Sequence, residues 1–390
     1  MQSDFESESN GRGTVWRPGQ YRSHFPAFRS HLLRRDTITG RREPHRAAQR
    51  STNCRRLPKT RGGYSQRLPK AGSSETRSTS QIRAMHPSGG GSHCVVGTTL
   101  SGDEAAMSKA EAIAVSRTVE TLLIRENHRF MAEIREALEP GYLLRAAEYL
   151  LDCSGPVYIV TGFPVNDTFE TDGPAGAFAL YRLCEKMGHQ VVIITDTVIA
   201  EALQDRFVCR SIAGTSFETV SKTAEALYRE APPGLVISIE RPGMAADGRY
   251  YNMSGEDITS HCGIAEPYLV FAPCPTIAIG DGGNEIGMGN VLSSLSKLNI
   301  RPAVSTCSEL IVADVSNWGA YALCGMTTWL SGDHLPASDE FATDLDYLVN
   351  QGAVDGVTRE ATPTEDGFTR EKTSLLLTDI RRAFTEGEVS

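Results

Sequence analysis

No run of about 18 consecutive apolar residues, the length a membrane-crossing helix needs, occurs in the 390-residue chain. A membrane partner is therefore not expected. Cysteine is present but never in the close pairs that ligate zinc or form a redox dithiol: the nine thiols stand at 54, 94, 153, 184, 209, 262, 274, 307 and 324. Their odd number and wide spacing suit a reducing compartment with thiols buried as small apolar groups. The expected location is the cytoplasm, or the mitochondrial matrix if the source is eukaryotic. No internal repeat of fixed period is visible. Charge of one sign is scarce in each part of the chain. Residues 1–106 hold 18 Lys and Arg against 8 Asp and Glu, whereas the remaining residues hold 21 against 40. An acidic body exerts no general pull on nucleic acid or anionic lipid, and the basic head lacks the aromatic spacing of a base-stacking platform. Nucleic acid is thus not an expected partner either.

Aliphatic residues are also sparse over residues 9–92, which are rich in Arg, Ser, Pro, Gly and His. Such a segment does not bury enough apolar area to offset its ordering entropy. Residues 1–106 are expected to be disordered, or to lie upstream of a true start at Met107. From Met107 to Ser390 the texture is that of a folded domain. Apolar spacing predicts a helix over Ser116–Leu138, stopped by Pro140-Gly141, and a shorter one over Leu143–Leu151. Strands are predicted at Val157–Val160, Val191–Ile194, Leu235–Ile239, Thr276–Ile279 and Leu310–Ala313. Helices are predicted at Ala175–Met187, Val198–Asp205, Phe217–Glu230, Val291–Leu295 and Trp318–Leu330, with acid-rich helices near 339–350 and 371–384. Alternation of helices with uninterrupted apolar strands predicts an α/β fold: a mostly parallel sheet with helices on both faces, a Rossmann-like three-layer sandwich.

In such a sheet, ligands gather beyond the carboxyl ends of the strands. Glycine and polar residues concentrate there. The first strand is followed by Gly162, Asn166 and Glu170-Thr171-Asp172-Gly173-Pro174, the second by Asp196, the third by Glu240-Arg241-Pro242-Gly243. The fifth is followed by Asp314 and Ser316-Asn317-Trp318. The fourth empties into Gly280-Asp281-Gly282-Gly283-Asn284-Glu285-Ile286-Gly287-Met288-Gly289-Asn290. Neither common glycine fingerprint fits this turn: a dinucleotide site would need glycine at 285, where Glu285 stands, and a phosphate loop would need lysine after Gly287, where Met288 stands. A strand that ends in glycines ahead of a helix presents backbone N–H groups suited to anions. Asp172 or Thr171 reads as a helix cap with Pro174 in the first turn, which accounts for one acid of the Glu170/Asp172 pair and leaves the other for a site role. Arg241, at a strand end, suits a bidentate carboxylate clamp. His261 beside Cys262 is not read as nucleophile and base, since sequence neighbours rarely face each other.

Taken together, these segments resemble the D-glutamate cyclase C-terminal domain family. The blocks Val160–Pro164, Glu170–Gly176, Arg241–Gly248, Tyr250–Met253, Gly280–Gly289 and Val315–Gly319 occur there in the same order, and the likeness runs from about Met107 to the C-terminus. The resemblance implies a hydro-lyase that converts D-glutamate to 5-oxo-D-proline with loss of water, and no cofactor. In that chemistry the N–H groups of Gly282 and Gly283 would stabilise the developing oxyanion. Asp172, Asp281 and Glu285 would share the acid and base roles. Arg241 would hold the α-carboxylate, with Gly162, Asn166, Glu170, Asn284 and Asn317 completing the substrate site. Two alternatives stand beside this reading. One is a metal-assisted enzyme on another small carboxylate, in which Asp172, Asp281 and Glu285 ligate Mg²⁺ or Mn²⁺. The other is a non-catalytic amino-acid or nucleotide sensor.

Overall fold

The strands form where apolar residues face both sides. The computed structural model describes residues 108–332 and 339–386; the reading of residues 1–106 falls outside them. Six parallel strands make the main sheet: β1 (Val157–Thr161), β4 (Val191–Thr195), β5 (Cys209–Ser211), β6 (Leu235–Ile239), β7 (Thr276–Gly280) and β8 (Glu309–Val312). Two further short strands, β2 (Pro164–Val165) and β3 (Thr168–Phe169), form a hairpin after β1. The sheet order is β5-β4-β1-β6-β7-β8, so the chain builds outward from β1 in one direction and then, from β6, in the other. That is the doubly wound order, whose reversal lies between β1 and β6. Successive residues of β1 serve two cores. Val157 and Ile159 join a large cluster with Phe178, Trp318 and Leu376. Tyr158 and Val160 join a smaller one with Val220, Leu227 and Leu269. A strand buried on both faces reads as an unbroken apolar run, which is why these strands are visible in the sequence.

Eleven helices cover the sheet among the described residues: α1 (Lys109–Leu123), α2 (Met131–Arg135), α3 (Tyr142–Leu151), α4 (Pro174–Lys186), α5 (Thr197–Leu203), α6 (Phe217–Glu230), α7 (Glu266–Val270), α8 (Leu292–Leu295), α9 (Ser316–Leu330), α10 (Asp339–Asn350) and α11 (Arg370–Glu386). None is long and apolar enough to cross a membrane. A capping box starts α1: Glu111 N–H donates to Ser108 Oγ at 3.2 Å and Ser108 N–H to Glu111 Oε2 at 2.8 Å. Helices α4 and α9 approach closely at Gly176, where a Cβ would stand 2.8 Å from that of Ala320.

Two departures from the predicted elements shape the site. The helix expected over Ser116–Leu138 stops at Leu123 and resumes only at Met131. A residue far along the chain causes the break. The carboxylate of Asp314 accepts the N–H groups of Glu126 at 2.7 Å and Asn127 at 2.9 Å, and Asp314 N–H donates to Leu123 O at 2.8 Å. Asn127 and Phe130 take positive φ of 49° and 62° to make the turn. The Gly280 turn also differs from expectation: it leads not directly into a helix but into a 3-10 turn at Met288–Val291 followed by the four-residue α8. Helix α8 is too short and too far along to present its N-terminus to the turn.

Candidate active site

Beyond the carboxyl ends of β1, β6 and β7, at the reversal of strand order, lies a cavity of about 760 Å³. This is within the range of small-molecule sites. Its floor is acidic. Glu240 and Asp281 line it, and with Asp172 beneath them each places one carboxylate oxygen within 4.8 Å of the other two; all three residues are buried. Helix α9 holds them in place. Its first N–H, from Ser316, donates to Asp172 Oδ2 at 2.9 Å and to Asp281 Oδ2 at 3.2 Å, and Asn317 N–H donates to Asp172 Oδ1 at 2.7 Å. Ser316 Oγ donates to Glu240 Oε2 at 2.6 Å. The free N–H groups and dipole of a helix N-terminus thus bind the protein's own carboxylates. Glu240 ends β6 in the left-handed region, φ 40°. That conformation costs a non-glycine residue of order 1–3 kcal/mol and persists only where surrounding contacts enforce it. Gly173, φ 91°, makes room beside it, for a Cβ there would stand 2.8 Å from that of Glu240.

Above the floor, Arg129 bridges Asp281 and Asp366 through Nη1, the contact to Asp366 being 2.5 Å. Arg129 reaches this position because Asp314 turns the chain after α1. Glu170, at the end of the β2–β3 hairpin, lines the same wall as Glu240. The mouth is framed by Asn252–Ile258 on one side and by Gly356, Val357 and Arg359 on the other, with Arg359 Nη2 3.4 Å from Glu256 Oε2.

So many acids out of water do not all ionise at ordinary pH. Burial, followed by the charges of Asp366 and Glu365, raises the Asp172 pKa to about 8, although the Asn317 N–H works the other way. Burial and then Glu240 raise Glu170 well above the carboxylate range; burial and then Glu285 do the same to Glu240. Asp281 is also raised well above it by burial, against the opposing charge of Arg129. The carboxyls titrate as a set that retains protons near neutrality. His128 moves the opposite way: burial and then the Arg129 charge lower its pKa, leaving the ring neutral.

A family model described as "D-glutamate cyclase-like, C-terminal" matches residues 119–381. The chain belongs to that family. It is also 31% identical over 215 residues to the human protein named "D-glutamate cyclase, mitochondrial", the match covering 47% of this chain and 35% of that protein. The matched part thus spans about a third of the relative's length. All of the residues that form the floor and walls lie inside the region matched by the D-glutamate cyclase-like model.

Within this cyclase-like domain, the residues singled out from sequence divide into two groups. Asn166, Glu170, Asp281 and Asn284 line the cavity, and Asp172 lies within reach of its floor. The rest hold the site together. Arg241 is corrected as a substrate clamp: its guanidinium is fully buried and bidentate to Asp196 at 2.6 and 3.0 Å, and it also donates to the carbonyls of Gly162 and Gly263. The Gly162 carbonyl is consumed by the same contact. Gly283 is corrected as an oxyanion donor, because its N–H donates to Glu285 Oε2 at 2.7 Å. Glu285 folds back onto its own glycine turn, over Gly282, instead of facing the cavity. Its pKa, raised by burial, is pulled down again by the Gly283 N–H. Asn317 ties α9 to α4, accepting the N–H groups of Gly173 and Gly176 at 2.8 and 2.7 Å and donating to Thr171 O at 3.1 Å.

Sequence reasoning missed Arg129, Asp366 and the site role of Glu240. A signal for Arg129 existed: Arg125-Glu126-Asn127-His128-Arg129 is an unbroken polar run inside an otherwise amphipathic repeat. For Glu240 the only hint was its place at a strand end, which Arg241 shares.

Proposed function

We propose that this cavity binds D-glutamate and closes it to 5-oxo-D-proline with loss of water. One observation carries the reading: a cluster of buried carboxyls meets a guanidinium at the switch point of the sheet. The likeness to a human protein named D-glutamate cyclase supports the choice of substrate. In the reaction the amine nitrogen bonds to the γ-carboxyl carbon and one carbon–oxygen bond breaks. The ammonium gives up two protons, and the departing oxygen gains two to leave as water. The chemistry therefore needs groups that pass protons between two sites a few ångströms apart, and no oxidant. An ionised carboxylate of the floor takes a proton from the ammonium, and a protonated neighbour gives one to the leaving oxygen. Glu240 and Asp281, which line the cavity, fill these roles, with Asp172 coupled beneath them. Arg129 anchors a substrate carboxylate. Among the described residues its hydrogen bonds to Asp281 and Asp366 both run through Nη1, which leaves Nη2 and Nε to a ligand. Because ring closure is intramolecular, holding the folded conformer supplies part of the roughly 7–11 kcal/mol associated with well-oriented reactions.

The test is to incubate the full chain with D- or L-glutamate and measure 5-oxoproline by chromatography. Product from D-glutamate, lost on Glu240→Gln in a protein that still folds, is the expected result. A folded chain that yields no product from either enantiomer, with or without Mg²⁺, overturns the proposal.

A further inference from the structure

We propose that Asp172, Glu240 and Asp281 form a binding site for one divalent cation of the hard, oxygen-preferring class, Mg²⁺ or Mn²⁺. Each acid comes from a different segment: the turn before α4, the end of β6 and the end of β7. Oxygen ligands at about 2.0–2.6 Å from an ion span about 4–5 Å across it, and the three donor atoms lie within 4.8 Å of one another. Their existing hydrogen bonds come from the start of α9, from Gly173 N–H to Asp172 Oδ1 and from Arg129 to Asp281 Oδ1. They leave lone pairs available once an ion displaces the carboxyl protons, since each ionised carboxylate offers about four. The donors are all oxygen, with no thiolate or imidazole among them, which selects against zinc and copper.

A second observation is independent of the acids. Asn284 is 2% exposed and lines the same cavity as Glu240 and Asp281. Its Nδ2 donates to Tyr251 O at 2.9 Å, and its Oδ1 has no partner among the described residues. A buried carbonyl oxygen without a donor is costly. In a residue that lines an acidic cavity, it points to a cationic ligand or the water such a ligand carries. The ligand set differs from the one the sequence suggested, for Glu240 takes the place of Glu285, whose carboxylate is engaged by its own turn. The ion's use in catalysis, drawing charge from the γ-carboxylate and balancing the acids around a doubly acidic substrate, rests on the cyclase reading. Its binding does not.

The experiment uses the full chain stripped with EDTA and titrated with Mn²⁺, without substrate, free Mn²⁺ being followed by electron paramagnetic resonance. One ion per chain is expected, displaced by Mg²⁺. Asp172→Asn, Glu240→Gln and Asp281→Asn should each weaken binding at least tenfold, and Glu256→Gln at the mouth should leave it unchanged. Pulsed spectra of the wild-type complex give a readout that does not depend on the variants folding: no nitrogen coupling is expected from an all-oxygen site. Imidazole coupling, from His128 or His261, or the absence of saturable binding overturns the proposal. If Mn²⁺ binds as described and no 5-oxoproline forms, the cyclase reading alone fails. If product forms in EDTA and no ion binds, the cation site alone fails.

Discussion

Arg241 donates four hydrogen bonds, two to Asp196 and one each to Gly162 O and Gly263 O, from a side chain with no exposed surface. Nothing is left of its fork for a ligand except Nε, which is buried without a partner. Its contribution is to lock the turn after β6 to the end of β4. Breaking a buried ion pair costs about 3–5 kcal/mol, and Asp196, 17% exposed, recovers some hydration. Arg241→Met is therefore expected to lower stability by about 3 kcal/mol in urea unfolding, with activity falling only as the folded fraction does. A selective rise in KM at unchanged stability would return Arg241 to the substrate. Arg129 has the contrasting profile. Its side chain is 15% exposed and opens on the cavity. Arg129→Met is expected to reduce kcat/KM for D-glutamate about a hundredfold, mostly through KM, while circular dichroism remains that of the parent.

At the scale of elements, the segment from Val354 to Gly367 shows how a loop is made rigid without regular structure. The carboxylate of Asp355 accepts the N–H groups of Val357, Thr358 and Gly367 at 3.0, 2.8 and 2.7 Å and the hydroxyl of Thr364 at 2.6 Å. These bonds hold its pKa below the usual aspartate value although burial opposes them. The loop carries Gly356, Val357, Arg359 and Asp366 to the cavity. Asp355→Ala is expected to speed amide exchange across 354–367 by at least tenfold and to leave the sheet strands protected, which mass spectrometry of deuterated peptides would resolve.

Elements like this also mark the limit of what the sequence discloses. Strands β1, β4, β6, β7 and β8 were legible because both faces are apolar, and α4, α6 and α9 because their ends carry glycine, proline or serine. Strand β5 has three residues and an exposed edge, too little pattern to see. The acids at the strand ends were legible as a group. Their division into cavity and scaffold was not, because it depends on partners distant in the chain: Asp196 for Arg241, Asp314 for the turn that brings Arg129, and α9 for Asp172.

For the molecule as a whole, the buried acids tie stability to pH. The Asp172 pKa is about 8 in the folded chain against 3.8 ordinarily, so folding favours its protonated form. Stability from that proton is complete below about pH 4 and is lost as pH rises through about 8. Glu170, Glu240 and Asp281 shift in the same direction. In EDTA the melting temperature is expected to fall between about pH 5 and pH 9, and Glu170→Gln, which keeps the shape and removes the need to ionise, is expected to flatten that fall. A melting temperature that climbs over this range would contradict the argument.

The crowding of carboxyls on the floor has a further result for the way such a domain tolerates change. Burial of so many acids weakens the fold there, so neutral replacements should yield sturdier proteins that, on the cyclase reading, are inert. A screen for heat resistance alone would drift toward those replacements and discard the chemistry.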